Sequence, residues 1–467
     1  MTTTDHDDHS TDPAPPTGAF SVILDADEAV EARLAEIPGD ELVFVATSDI
    51  AAVTKGRAMR AADFSPRTSI GWVPANLGIG SLGHIVEGIP FGSSGDLRMR
   101  PDLSSLTRVP AIGDAPAVTI AFADIVETDG RPWTADPRGF LRRTIDDLER
   151  EFGIHVNAAF EHEFTALGED AATHPFSLRA HRALGGLGAE AMDVLDRMGA
   201  EPECWLPEYG RHQYELTVRP APALHAADRA ILVRDTVRAV FDANGRRVTF
   251  SPVVEPGAGG TGVHVHFGLH AADGSTLVYD ASRPGRISEL AGRFAAGIVR
   301  HSPAMALLFA PLVISYDRLA PHNWSTARAF LGLQNREALL RITPTNELDG
   351  RDPAPQLHFE FRGGDIGANP WLLLGSVLRA GLEGLRAGLE PAEVIEGELD
   401  LEGRHRDLAA LPASLDDAID RFEGDETVRS WFSPEFAQTL IAIKRDESAR
   451  LRGSSVAEQC RAYADIY

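Results

Sequence analysis

Polar and apolar residues alternate with a period of two in four short stretches of this chain, and the polar positions come from an unusual set. In Ala159-Phe160-Glu161-His162-Glu163-Phe164, a strand puts Glu161 and Glu163 on one face and Phe160, His162 and Phe164 on the other. Gln213-Tyr214-Glu215-Leu216 repeats the pattern with Gln213 and Glu215, preceded by Glu208 at a Gly-containing turn. Val263-His264-Val265-His266-Phe267 gathers two imidazoles on one face, and His358-Phe359-Glu360-Phe361-Arg362 alternates polar with aromatic. A half-buried strand ordinarily turns its polar side chains to solvent. Here those positions carry Glu, His and Arg almost exclusively, the composition of a polar pocket floored by a sheet.

Other patterns frame these four. Residues 41–46 and 117–122 read as strands, separated by a Gly- and Pro-punctuated stretch from Gly71 to Pro101 that has little periodicity; ordered loops of this length are usually functional or interfacial. A boundary is expected near Thr128-Asp129-Gly130-Arg131-Pro132. Asp136-Pro137 then opens a helix as cap and first helical residue, with Phe140, Leu141, Ile145, Leu148 and Phe152 on one stripe and Gly153 as the stop. Further helices are predicted at about 180–198, 223–243, 285–309, 370–388, 414–422 and 433–451, with Gly245 and Asn369-Pro370 as stop and start signals. Strands and helices mix without a regular βαβ rhythm, so the fold class is α+β. The expected division is a tail at 1–19, a small β-rich domain at 20–127 and a larger domain at 128–467.

Composition narrows the class. A chain of 467 residues, 43% hydrophobic and 24% charged, reads as a soluble globular protein of two or three domains. Its formal charge of −25 argues against nucleic acid or an anionic membrane as partner, although solubility alone also accounts for it. Cys204 and Cys460 are too few for a disulfide framework or a thiolate zinc site, which fits a reducing cytoplasm. No apolar run approaches a membrane span. The first residues lack the basic and apolar regions of a secretory signal and read as a disordered tail.

Singly, each motif is weak, because a Glu-x-Glu pair is most often a solvated face and most His-x-His pairs are not ligands. Together they conflict with burial: Glu161, Glu163, Glu208, Glu215 and Glu360 cannot share a pocket without cations. With one imidazole they form a hard, oxygen-rich donor set suited to Mg²⁺ or Mn²⁺. Arg318, Arg336, Arg341 and Arg362 follow downstream, and guanidinium groups beside divalent cations serve phosphate and carboxylate recognition; Arg351 reads as a surface ion pair. Metals with arginine clamps point to phosphoryl transfer. No GxxxxGK[ST] loop is present. Gly257-Ala258-Gly259-Gly260-Thr261-Gly262 leads into a strand, so its glycines serve close approach of a substrate to the backbone.

These segments, with Pro207-Glu208-Tyr209-Gly210-Arg211-His212-Gln213-Tyr214-Glu215, Arg318-Leu319-Ala320-Pro321, Asn335-Arg336 through Arg341-Ile342, and Asn369-Pro370, resemble the glutamine synthetase family from about residue 40 onward. The resemblance implies a β-grasp-like N-terminal domain and a catalytic domain whose curved antiparallel sheet lines a funnel, with ATP and L-glutamate entering from opposite ends. By the same resemblance Glu163, Glu208 and Glu215 would hold one metal, and Glu161, His264 and Glu360 the second. Arg318 and Gly260 would position glutamate, Arg362 its reacting end, Arg336 and Arg341 the phosphates, and His266 would lie near the nucleotide. The family's double rings imply a homo-oligomer with sites between subunits, to which the Gly71–Pro101 stretch could contribute.

The chain departs from the family pattern where ammonium is bound. After Arg318-Leu319-Ala320-Pro321 the expected Glu position carries Trp324, and the region matching a Phe-Asp-Gly-Ser-Ser-like turn, Gly71-Trp72-Val73-Pro74-Ala75-Asn76, has no Asp. Glu87 or Asp96 could replace the latter. Aromatic lining suits the alkyl or aryl part of a larger amine, so the expected activity is a glutamate-amine ligase for a small primary amine, with Trp324 in the acceptor site. An ammonium-using enzyme and a polyamine-specific ligase are the alternatives. Decayed metal ligands would mark a non-catalytic relative, and all six are present; Arg318 and Arg362 argue against a kinase of a small nitrogenous substrate. His212 and Gly259 stand where Gly and Asn are usual, residues 353–358 lack the usual basic groups, and the absence of Tyr from 390–411 argues against adenylylation.

Overall fold

The four alternating stretches become strands of a single sheet, and the strands read at 41–46 and 117–122 belong to another. The computed structural model describes residues 34–168, 173–320 and 327–467. Residues 39–467 form one compact unit; the described part of the other, 34–38, is a short turn closed from the Ile37 N–H to the Leu34 carbonyl. The predicted tail and Trp324 lie outside the described residues.

The first sheet contains β1 (Leu42–Ser48), β2 (Thr54–Arg60), β3 (Ile70–Trp72), β4 (Leu97–Pro101), β5 (Thr107–Val109) and β6 (Val118–Glu127). Its order is β2-β1-β6-β4-β3, with β5 also on β6, and only the β1–β6 pair is parallel. The second sheet contains β7 (His155–Leu167), β8 (Pro202–Pro207), β9 (Gln213–Val218), β10 (Ala221–Pro222), β11 (Arg247–Thr249), β12 (Val263–His270), β13 (Leu331–Leu333), β14 (Leu340–Ile342), β15 (Phe359–Phe361) and β16 (Val394–Glu396). They run β16-β13-β14-β15-β12-β7-β9-β8, with β10 and β11 also on β7. Around β12, β7 and β9 the pairing is antiparallel as expected, but β13 pairs in parallel with both β14 and β16.

The helices are α1 (Pro137–Phe152), α2 (Leu178–Ala183), α3 (Leu187–Arg197), α4 (Ala223–Ala243), α5 (Glu289–Phe309), α6 (Ser315–Arg318), α7 (Pro370–Arg386), α8 (Leu415–Gly424), α9 (Glu426–Arg429), α10 (Pro434–Leu451) and α11 (Val456–Ala464). The cap signals act as read: the Asp136 side chain accepts from the Arg138 and Gly139 N–H groups, and Gly153 ends α1 with φ 65°. The helix expected over 180–198 is instead two, because Gly185 adopts φ 61° and Gly186 becomes the next cap. The helix expected from 285 begins at Glu289, after a separate turn in which Gly285 has φ 62°. The loop expected from Gly71 to Pro101 has strand residues at both ends, β3 and β4, and a 3-10 turn at Pro74–Gly78. Helix α11, not anticipated, starts from a Ser455/Glu458 capping box.

The apolar face of the second sheet meets α5 through Phe267 on Phe294 and Phe361 on Phe309, with ring centroids 6.1 and 5.1 Å apart. Helices α5 and α7 approach so closely that a Cβ on Gly297 would collide with the Ala380 carbonyl. Arg138, fully buried on α1, ties the first sheet to helix α4. Its Nε and Nη2 fork onto Asp228 of α4 at 3.0 and 2.7 Å, and it also donates to Asp124 at 2.7 Å and to Asp102 at 2.9 Å. Trp371 of α7 donates to the same Asp228 at 2.8 Å.

Removing one partner of a buried ionic network leaves the others uncompensated. Arg138→Ala is therefore expected to lower unfolding stability by about 3–5 kcal/mol in urea titrations; a loss below about 1 kcal/mol, the value of a surface pair, would contradict the role given to Arg138.

Candidate active site

Strand register builds the site. In the β7–β12 ladder Glu161 stands opposite His264, and in the β7–β9 ladder Glu163 stands opposite Glu215. Across β14, β15 and β12, Arg341, Glu360 and His266 fall in one row. Because side chains alternate along a strand, these ladders gather the charged groups on one face and leave Phe160, His162, Phe164, Val265 and Phe361 in the core. Burial and the Arg234 charge push the His162 imidazole down to about 3, so it remains neutral, a core histidine.

His264 is central. Its Nδ1 lies 2.6 Å from Glu161, 3.8 Å from Glu163 and 3.9 Å from Glu360. His266 Nε2 lies 3.4 Å from the other oxygen of Glu161. Burial raises the Glu161 carboxyl, but these two imidazoles outweigh it and hold the group well below the usual range. Glu360 is braced from the far side: Arg341 donates to it at 2.6 Å, and Arg362 pairs with its second oxygen. Against the effect of burial, Arg362 and the two histidines bring Glu360 down to about 2.

Glu215, at the opposite end of the row, is not balanced in this way. Burial pushes the Glu215 carboxyl up to about 11, and the neighbouring Glu161, Glu163 and Glu208 add to it. Burial raises Glu163 as well. Negative charge is in excess around Glu163, Glu208 and Glu215, which is the electrostatic signature of a place for cations. Two groups offer ligand atoms within 4.8 Å of one another, Glu161 with His266 and Glu360, and Glu161 with Glu163 and His264. They share residues with the sets implied by resemblance but divide them differently, since His266 joins a metal-competent group and Glu208 and Glu215 stand beside it.

The arginines are placed unequally. Arg318 is buried and its Nη2 donates to the carbonyls of Gly363 and Gly364 at 2.6 and 2.9 Å. Its stem crosses Gly260, where any Cβ would collide with it. Arg362 Nε donates to the Arg336 carbonyl at 2.8 Å, while the Arg336 side chain is exposed. Trp324 lies outside the described residues. A cavity of about 230 Å³ continues the floor of the cluster along β7, lined by Thr165, Leu167, Gly210, Gln213, Glu255 and Gly259 among others. A larger cavity of about 620 Å³, bordered by Glu426, Phe432 and Gln438, carries none of these site residues.

Two residues acquire roles that the sequence reading did not give them. Gln213 donates to Glu163 at 3.0 Å. His358 Nδ1 lies 2.6 Å from the Gln356 carbonyl and its Nε2 lies 3.0 Å from His266 Nδ1. A carbonyl only accepts, so the His358 proton sits on Nδ1 and His266 donates to Nε2. Burial and His266 push His358 down to about 4, which keeps it neutral and fixes the ring of His266. Both residues lie in the alternating stretches, where sharing a face with Glu215 and Glu360 was the available signal.

A family model described as glutamine synthetase, catalytic domain, matches residues 134–463, and one described as glutamine synthetase N-terminal domain matches residues 28–133. A γ-glutamylpolyamine synthetase of Streptomyces coelicolor is 34% identical over 373 residues, covering 77% of this chain and 78% of the relative. A glutamate-isopropylamine ligase of a Pseudomonas species is 28% identical over 382 residues, 77% and 80% of the two chains. A solved structure described as a novel glutamine synthase homolog superposes with TM-score 0.85 at 42% identity, covering 92% of this chain and all of that one.

A carboxyl whose pKa rises on folding costs stability progressively as pH climbs above its unfolded value of 4.5. Metal-stripped protein is therefore expected to melt lower at pH 8 than at pH 5, and Glu215→Gln to raise the pH 8 melting temperature in EDTA while reducing the gain from added Mn²⁺. A substitution that lowers stability both with and without Mn²⁺ would sink this account of the charge excess.

Proposed function

The chain belongs to the glutamine synthetase family of ATP-dependent ligases, and on that premise we propose that it joins the γ-carboxylate of L-glutamate to a small primary amine, ethanolamine-like or short alkyl. The observation that carries the amine reading is a gap in the acids. No Asp or Glu occurs between Asp63 and Glu87, nor between Asp317 and Glu337, the two segments where the family resemblance leads one to expect ammonium-binding carboxylates. An ammonium ion needs a carboxylate to hold it and take its proton. The likeness to two relatives named for amines supports the same reading.

The donor chemistry fits divalent cations, since oxygen donors and His264 surround an excess of negative charge. Glu163, Glu208 and Glu215 would hold one, and Glu161, His264 and Glu360, with His266 adjoining, another; Mg²⁺ or Mn²⁺ suits such ligands. When bound, the cations supply charge neutralisation for the phosphates. In the proposed sequence a γ-carboxylate oxygen of glutamate attacks the γ-phosphorus of ATP, the bond to the β-phosphate oxygen breaks, and ADP leaves. Arg336 and Arg341 face the phosphates, and Arg318 with the Gly260 loop seats glutamate. Arg362 offers charge to the reacting carboxyl. The amine lone pair then attacks the acyl carbon, phosphate departs with its bonding electrons, and the nitrogen's proton passes to that phosphate, leaving the γ-glutamylamide. Trp324 would line the amine's path.

We further propose that residues 20–127 and 128–467 act as separate domains of a homo-oligomer of double-ring type, with the Gly71–Pro101 stretch serving a neighbouring site. A cytoplasmic location agrees with the free thiols Cys204 and Cys460 and with the lack, among the described residues, of any helix long and apolar enough to cross a membrane.

Phosphate release with glutamate, ATP and Mg²⁺ should be measured across ammonium, ethanolamine, isopropylamine, putrescine, spermine and aniline, with products weighed by mass spectrometry. A γ-glutamyl adduct of ethanolamine or isopropylamine with little glutamine is expected; spermine or putrescine as the better acceptor would move the assignment to polyamines, and efficient glutamine formation would overturn the amine reading. Trp324→Glu should raise the ammonium-to-amine ratio about tenfold, equivalent to about 1.4 kcal/mol; an unchanged ratio would remove Trp324 from the acceptor site.

A further inference from the structure

Gln213 is buried, and its amide uses three hydrogen bonds in one small volume. Nε2 donates to Glu163 Oε2 at 3.0 Å and to the Gly260 carbonyl at 2.9 Å, and Oε1 accepts from the Gly210 N–H at 2.9 Å. The partners fix the orientation of the amide, since the Gly260 carbonyl can only accept and the Gly210 N–H can only donate. Oε2 of Glu163 also accepts from the Gly262 N–H at 2.8 Å. One oxygen of Glu163 is thus held by two protein donors, while Oε1 is the oxygen on the His264 side, 3.8 Å from its Nδ1.

Local sequence makes room for this arrangement. A Cβ on Gly210 would collide with Gln213 Oε1, and Gly259 lies 3.9 Å from the same oxygen by the same measure. The Gly260 carbonyl is held from one side by Gln213, and Gly260 itself lies under the Arg318 stem, whose guanidinium reaches the Gly363 and Gly364 carbonyls. No other side chain substitutes for this amide: Glu cannot donate to Glu163 and would add a carboxylate beside it, Leu has no polar atoms, and Asn is one methylene short.

We propose that Gln213 is the positioning residue that sets the cluster-facing oxygen of Glu163 and the Gly260 loop in one geometry, so that divalent-cation binding and glutamate binding are coupled through a single amide. The inference rests on the reading of Glu163 as a ligand and of the Gly260 loop as the glutamate seat. Coupling of this kind is reciprocal: glutamate tightens the cation by the factor that the cation tightens glutamate.

The test is Mn²⁺ titration calorimetry on the full-length protein, with and without glutamate, beside the glutamate KM. Two variants are compared. Gln213→Leu removes the amide, and Gly210→Ala displaces it while leaving Gln213 and Glu163 in the sequence; Gly210 has no left-handed φ, so its backbone accepts alanine. Both are expected to weaken Mn²⁺ by about 10–100-fold, the usual cost of losing a group that orients a ligand, to raise the glutamate KM, and to bring the glutamate effect on Mn²⁺ affinity close to one. If Gln213→Leu does not fold, Gly210→Ala decides alone. Mn²⁺ affinity within about twofold of the unaltered protein in the folded variants, or no glutamate effect in the unaltered protein, overturns the inference, since losing a group that orients a ligand costs about tenfold or more. Glu163→Ala separates the two levels: unchanged Mn²⁺ affinity there removes the ligand assignment under it, whereas a loss there with none in the Gln213 and Gly210 variants removes Gln213 alone.

Discussion

Mutual repulsion among carboxylates on one face of a sheet is the constraint from which the rest of this structure follows. Strand pairing brings Glu161, Glu163 and Glu215 together, with Glu208 just past β8; at one end Arg341 and Arg362 hold Glu360, and His264 and His266 lie against Glu161. At the other end Glu215 is pushed far above its ordinary range. Such a face is costly unless cations complete it, and the apolar core behind it offsets that cost.

The two sheets are held against helices that touch both. Arg138 reaches Asp102 and Asp124 on the first sheet's side and Asp228 on α4, while Asn369, the cap of α7, donates to the carbonyls of Ser48 and Asp49 at 3.1 and 2.9 Å. Buried polar groups of this kind are tolerated because each is answered by a partner. They fix the angle of approach as well as the distance, which dispersion contacts alone do not.

Much of this was legible in the sequence because it is local. Alternation placed Glu161 and Glu163 on one face and His162 in the core, and Asp136, Gly153 and Asn369 marked helix ends correctly. What was not legible depends on long-range pairing. Strands β13, β14 and β16 are three residues each, too short for a period to register, whereas β15 was visible only because its flanking His358 and Arg362 extend the alternation. The pairing of His266 with Glu161, the seat of Arg318 on backbone carbonyls and the three bonds of Gln213 need the register of the ladders, which no single segment contains. Gly185 and Gly186 were visible, but a helix can absorb a glycine at modest cost, and the positive φ at Gly185 decides the break.

The brevity of β15 has one more consequence. Its three residues, Phe359, Glu360 and Phe361, pair with β12 on one side and β14 on the other, and a slip of a single residue would turn both phenylalanines into the charged face and drive Glu360 into the packed interior. There is no intermediate alignment between those two outcomes. Errors in seating this interior strand are therefore discrete, since a single-residue slip exchanges the two faces outright rather than by degrees.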